Sequence, residues 1–314
     1  MDDKVAEDEK TQELRNINEA IKFIEENTEE GTKFDRAYVS ELHKLVCYKL
    51  TPPKKGEGSC HPGELRKGDV EIKKSKHRPT PHEHLKDEFI NFLDFINQPL
   101  LEKNQLLMAA LAHHRFMYIH PFDNGNGRVG RLLNYALLIK LGFNVKSGRI
   151  LNPSSVFYTD RDKYYEMLGK ADSLKDEDAL AWAEYFLGGI KTALEKIDML
   201  TKRTFTVKRL LTPTLEIALD KKQITKQEFD ILMYLINKKD MAMKTAELSN
   251  LGIKTTQQKT YAMQKLRDEE IVTPIKEGGR VYTINFTNNY LLRGMMQALQ
   301  KNNFIADTLN NPMR

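Results

Sequence analysis

Two apolar runs constrain this chain more than any other feature. The first, Asn104–Tyr118, carries Leu106, Leu107, Ala110, Leu111 and Phe116, and the second is Arg128–Leu141. Each is long enough for a buried helix, and Gly142 offers the second a C-cap. Between them lies a polar loop, His120–Gly127. A fold built on these runs must bury both helices and hold the loop where they meet solvent.

The remaining pattern is mostly helical. Residues 10–29 place Leu14, Ile17, Ala20, Ile21 and Ile24 at helical spacing, and 35–49, 83–97, 161–171 and 178–198 add further helices. Thr51–Gly63 is too rich in Pro and Gly to be helical throughout. Asp69–Lys73 alternates apolar and polar and predicts a strand, part of a small surface hairpin with Lys74–Pro81. Past Thr201–Asp220, read as a linker, come helices at 227–237, 244–250 and 255–269, then strands at 271–275 and 281–286. Three helices and a hairpin in that order predict a winged helix. The expected domains are 1–200, a linker at 201–224, and 225–314.

Composition narrows the function classes. The chain has 314 residues, enough for about two domains. Its two cysteines exclude a disulfide framework. It lacks the roughly 20 apolar residues of a membrane span and has no signal-peptide core, so no membrane and a cytoplasmic location are expected. Residues 201–314 hold 19 Lys and Arg against 11 Asp and Glu, whereas 1–200 hold 30 against 33. The basic character therefore sits in the last third, where an acidic partner would bind.

The loop carries the chemistry. In His120-Pro121-Phe122-Asp123-Asn124-Gly125-Asn126-Gly127-Arg128-Val129-Gly130-Arg131, two glycines allow positive φ just before a helix start. Free N–H groups and the positive dipole end at such a start suit a phosphate chain. Arg128 and Arg131, three apart, share a helix face and can bind phosphate oxygens. His120, at the loop entrance, can accept a proton from a hydroxyl. The Gly-Lys-Ser/Thr ending of a Walker loop is absent.

These residues resemble the Fic signature, His-x-Phe-x-Asp/Glu-Gly-Asn-Gly-Arg-x-x-Arg, at seven of its eight specified positions. The resemblance extends over about residues 12–195 and includes Pro62-Gly63-Glu64-Leu65-Arg66, Ala112-His113 and Arg161-Asp162-Lys163-Tyr164-Tyr165. It implies a Fic-type helical bundle with a β-hairpin flap, followed by a winged-helix (α+β) domain. The implied activity is transfer of AMP from ATP to a Ser, Thr or Tyr hydroxyl of a target protein. His120 would be the general base. Gly125, Asn126, Gly127, Arg128, Gly130 and Arg131 would bind the phosphates, and Tyr165 and Leu168 would border the adenine. The flap residues Val70, Glu71, Ile72 and Lys73 would hold the target by strand addition.

One position departs from the signature. Asn124 replaces the carboxylate that in the family binds Mg²⁺ (or Mn²⁺), so the charge magnesium prefers is missing. Alternative readings are a nucleotide-sensing, DNA-binding regulator, and a Fic enzyme moving another group such as UMP or phosphocholine. For the winged helix, Lys254, Gln257, Gln258, Lys259, Lys265 and Arg280 are the expected polar contacts. DNA and a second copy of the chain, as a homodimer, are the partners it leaves open.

Overall fold

Helices α1 (Asp2–Asn27), α2 (Arg36–Cys47), α3 (His82–Asn97), α4 (Gln105–Ile119), α5 (Asn126–Lys140), α6 (Arg161–Ala171) and α7 (Asp176–Thr201) follow one another along the first part of the chain. The computed structural model describes residues 2–72, 77–146 and 160–305. The chain divides into two units, Met1–Glu195 and Lys196–Arg314. Among the described residues the architecture is mostly helical, with one small sheet. Among the described residues no helix is long and apolar enough to cross a membrane.

In the first unit the two apolar runs pack directly on one another as α4 and α5. Val129, Leu132, Leu133, Ala136, Leu137, Leu138 and Ile139 of α5 are buried with Met108, Ala112, Phe116 and Ile119 of α4. Each such Leu or Ile contributes about 1.5–3 kcal/mol on burial. α1 and α2 cover one side of α5, and α3 packs on α4. A second apolar cluster joins Ala110 of α4 to Tyr164, Trp182, Phe186 and Ile190 of α6 and α7. Trp182 Nε1–H donates to the Ala110 carbonyl at 2.7 Å. Asp35 and Asp160 cap α2 and α6 through their side chains.

The second unit departs from the expected pattern in three places. Residues 201–224, expected as a linker, are largely helical: Arg203–Phe205, a π-helical stretch Thr206–Leu211, and α8 (Thr212–Asp220). Val207, Leu211, Leu215 and Ala218 are buried in this unit's core, so the segment is part of the fold. After α9 (Lys226–Asn237), the helix expected at 244–250 is instead strand β1 (Met243–Lys244) and a 3-10 helix, Thr245–Leu251. α10 (Thr256–Asp268), β2 (Val272–Pro274) and β3 (Val281–Ile284) come next. The sheet is antiparallel in order β1-β3-β2, with Met243 opposite Tyr282 and Val272 opposite Ile284. The chain then forms α11 (Asn289–Lys301), for which no expectation was made. It approaches α8 so closely that a Cβ on Gly294 would stand 3.0 Å from the Thr214 carbonyl.

The strand expected at 69–73 does not form over Asp69–Ile72, and Lys73 lies outside the described residues. A strand needs a backbone ladder. Asp69 instead accepts the His82 N–H at 2.8 Å, and Arg66 Nη1–H donates to the Gly68 carbonyl at 2.7 Å.

Candidate active site

α4 ends at His120, whose backbone is left-handed, with φ 52° and ψ 61°. That conformation is uncommon for a residue with a side chain and persists where surrounding bonds impose it. Here the His120 N–H donates to Phe116 O at 3.0 Å, and its carbonyl accepts Arg66 Nε–H at 3.0 Å. His120 Nδ1 lies 3.3 Å from the Met117 carbonyl. A carbonyl can only accept, so Nδ1 carries the hydrogen and the lone pair sits on Nε2. Burial pushes the imidazole down to about 4; the Met117 bond opposes this, and the His77 and Arg66 charges add to it. The ring is therefore neutral at pH 7, with Nε2 as a proton acceptor.

The segment 57–66 straps the loop. Asp123 Oδ1 accepts Ser59 Oγ–H at 2.5 Å and Oδ2 accepts the Cys60 N–H at 2.8 Å. Asn124 Nδ2–H donates to Gly58 O at 3.0 Å. The Arg66 N–H donates to Pro121 O at 2.9 Å, and its buried guanidinium also donates to Thr80 O. Cys60 is exposed and Cys47 buried, both as free thiols.

His43 of α2 is fully buried beneath the loop. Its ring stacks on Phe122 with centroids 3.8 Å apart. The Gly63 N–H donates to Nδ1 at 2.8 Å, which makes Nε2 the protonated nitrogen, donating to Asn124 O at 3.0 Å. Burial drives its pKa to about 4, against the Asn124 bond and the Asp123 charge, with Arg128 adding a little. His43 thus joins α2, the strap and the loop. Sequence reading missed it because its partners lie 20 and 81 residues away.

The loop's polar residues divide between bracing and the helix start. Asn126, expected on the phosphates, turns its amide onto Phe122: Oδ1 accepts Phe122 N–H at 2.9 Å and Nδ2–H donates to Phe122 O at 2.8 Å. Arg128, also expected there, is buried. Its guanidinium reaches Glu13 at 3.2 Å, the Val46 carbonyl at 3.3 Å and the Glu57 carbonyl. Gly130 faces α4, where a Cβ would stand 3.2 Å from Phe116 and 3.3 Å from Met117 Sδ.

What remains at the start of α5 is an anion-suited turn. Gly125, with φ 75°, is its N-cap, and no acidic residue occupies the first turn. The first N–H groups of a helix lack intrahelical acceptors and point outward. Arg131 lies over this turn: a Cβ on Gly127 would be 3.3 Å from Arg131 Nη1.

Other expected residues lie as follows. Tyr165 is half exposed, with Arg161 5.6 Å over its ring, and Leu168 packs on the Trp182 cluster. Tyr164 is buried, its hydroxyl 3.0 Å from His113 Nε2. Val70 and Ile72 are half-buried and Glu71 is exposed.

At the signature's metal position this loop offers magnesium a neutral amide, Asn124, beside the Asp123 carboxylate. Magnesium is usually held by one or two carboxylates plus substrate phosphates. Each Asp123 oxygen accepts one hydrogen bond, from Ser59 and from Cys60, and Asn124, at the signature's acidic position, is neutral. Among the described residues no group of three His, Cys, Asp or Glu side chains is placed to hold a metal.

Residues 33–138, which hold α2 to α5 and this loop, match the Fic/DOC family model. The match covers about a third of the chain. Over 170 residues the chain is 31% identical to protein adenylyltransferase Fic of Nematostella vectensis, covering 51% of this chain and 34% of that protein. With its Drosophila willistoni counterpart it shares 29% over 161 residues, covering 51% and 29%. The chain thus spans about a third of the length of these curated relatives. A crystal structure of a Fic family protein from Desulfovibrio desulfuricans aligns at a TM-score of 0.47 and 20% identity, over 87% of this chain and 74% of that one.

Proposed function

We propose that the Fic domain transfers AMP from ATP to a hydroxyl of a target protein. The observation that carries this reading is the placement of His120: Nδ1 faces the Met117 carbonyl at 3.3 Å, which leaves the Nε2 lone pair for a proton, one short loop ahead of the anion-suited start of α5. The curated relatives, which are named protein adenylyltransferases, support it.

In this mechanism the triphosphate lies against the Gly125–Gly127 turn and Arg131. The acceptor oxygen attacks the α-phosphorus while His120 Nε2 takes its proton. A new P–O bond forms to the target, the α–β bridging P–O bond breaks, and pyrophosphate leaves. Arg128, Asn126, His43 and Arg66 hold the loop in shape, which keeps the reacting groups aligned. The acceptor segment would lie along Val70–Ile72 by backbone pairing.

The test is incubation with α-³²P-labelled ATP and cell-lysate proteins, beside His120→Ala. Label in protein that disappears in His120→Ala is the expected result. If ATP binds yet no label transfers, the nucleotide-sensing reading gains; label from UTP but not ATP would move the activity to another donor.

A further inference from the structure

The second unit holds a cationic cleft that adenylyl transfer does not use. It encloses about 390 Å³ between α10, the 3-10 helix Thr245–Leu251 and the foot of β3. Lys259, Arg267 and Arg280 line it together with the hydroxyls of Thr245, Thr256 and Thr260, and its lining includes no Asp or Glu. Lys259 Nζ donates to Ser249 Oγ at 2.6 Å, and the Arg267 guanidinium lies 5.8 Å over the Tyr282 ring. Neither bond neutralises the charge. Arg280 is exposed beside them.

We propose that the second unit is a winged helix that binds duplex DNA, with α10 in the major groove and Lys259, Arg267 and Arg280 on the phosphates. The element order supports it: α9, β1, the 3-10 helix, α10, then the β2–β3 hairpin carrying Arg280. A 13-residue helix is about 20 Å long, and its side-chain diameter of roughly 10–12 Å matches a major groove about 12 Å wide.

The exposed face of α10 carries groups suited to nucleic acid. It presents Thr256, Gln257, Thr260 and the 72% exposed Tyr261, groups that can reach base edges or phosphates. The excess of Lys and Arg over residues 201–314 favours a polyanion.

The structure also revises which residues serve. Lys265 is taken by Glu228 at 2.7 Å and Glu269 at 3.7 Å, and Gln258 caps α10. In the acidic run Asp268-Glu269-Glu270, Glu269 faces Lys265 at 3.7 Å, whereas Asp268, bonded to the neutral Gln264 amide at 2.6 Å, keeps its charge.

The test is fluorescence anisotropy of the full chain with a labelled random-sequence duplex, repeated across salt concentrations. Three phosphate contacts give a log–log salt slope near −2.7, about a 40-fold loss of affinity between roughly 50 and 200 mM salt. Arg280→Gln, Lys259→Gln and Arg267→Gln should each shallow the slope by about 0.9. No binding at about 50 mM salt, or affinity indifferent to salt, overturns the proposal without any variant. Equal affinity for single-stranded DNA or RNA overturns the major-groove assignment. The assay needs neither ATP nor a target, so its outcome is independent of adenylyl transfer.

Discussion

Glu13 of α1 and Arg128 of α5 stand 115 residues apart in the chain and meet at 3.2 Å. The buried guanidinium also serves the carbonyls of Val46 and Glu57, so one side chain ties α1, α2 and the strap to the start of α5. Arg128→Ala would leave those acceptors without donors and is expected to cost roughly 3 kcal/mol. Arg128→Lys should recover little, because an ammonium cannot span the fork. Thermal melts of both variants check this. A phosphate ligand with no structural duty would leave the melting temperature of the nucleotide-free protein unchanged.

His43→Phe keeps the stacking on Phe122 but removes both hydrogen bonds. The Gly63 N–H and Asn124 carbonyl lose their partner, and the loss should be about 1–3 kcal/mol. Chemical denaturation measures it. An unchanged midpoint would mean that the ring acts by packing alone.

Acid should weaken the fold early. His43 and His120 are held down to about 4 and His113 to about 3, each chiefly by burial, whereas the unfolded chain protonates these rings near 6.5. Between those values the unfolded state binds more protons, so stability present at pH 7 falls as pH drops from 6.5 toward 4. His77 works the other way: burial pulls it down, but the Asp172 bond and charge outweigh that and raise it. With three rings against one, the melting temperature should decline through this window, and less steeply in His43→Phe. A flat profile would contradict the neutral, buried rings.

The loop glycines differ in kind. Gly125→Ala places a side chain at φ 75°, 3.1 Å from Cys47 Sγ, and should cost about 1–2 kcal/mol or more. Gly130→Ala meets Phe116 and Met117 in the α4–α5 contact and should cost about 1–3 kcal/mol. Melting curves of the two variants decide whether Gly130 is a packing residue, as its surroundings require. Unchanged stability in Gly130→Ala would contradict that.

Local signals carried much of the fold into the sequence. The helical spacing at 35–49 and 83–97 and the apolar runs flanking the loop locate α2 to α5 within a few residues. Gly125, with no Cβ, shows its left-handed backbone in its identity. What stayed hidden depends on distant partners. β1 is two residues long and exists only because Met243 and Lys244 meet β3. The 201–224 segment reads as mixed because its apolar residues face a core assembled from residues up to Leu291. In the loop, residue type marks Arg128, and the family resemblance Asn126, as phosphate ligands. Their bonds to Phe122, Glu13 and the strap depend on how the chain folds back on itself.

The most direct measurement runs α-³²P- and γ-³²P-labelled ATP in parallel with the unaltered chain and His120→Ala, reading label in protein. Label is expected from the α position only, abolished in His120→Ala while its melting temperature stays within a few degrees of the unaltered chain. Label from the γ position, or α-label that survives in His120→Ala, would contradict adenylyl transfer with His120 as its base.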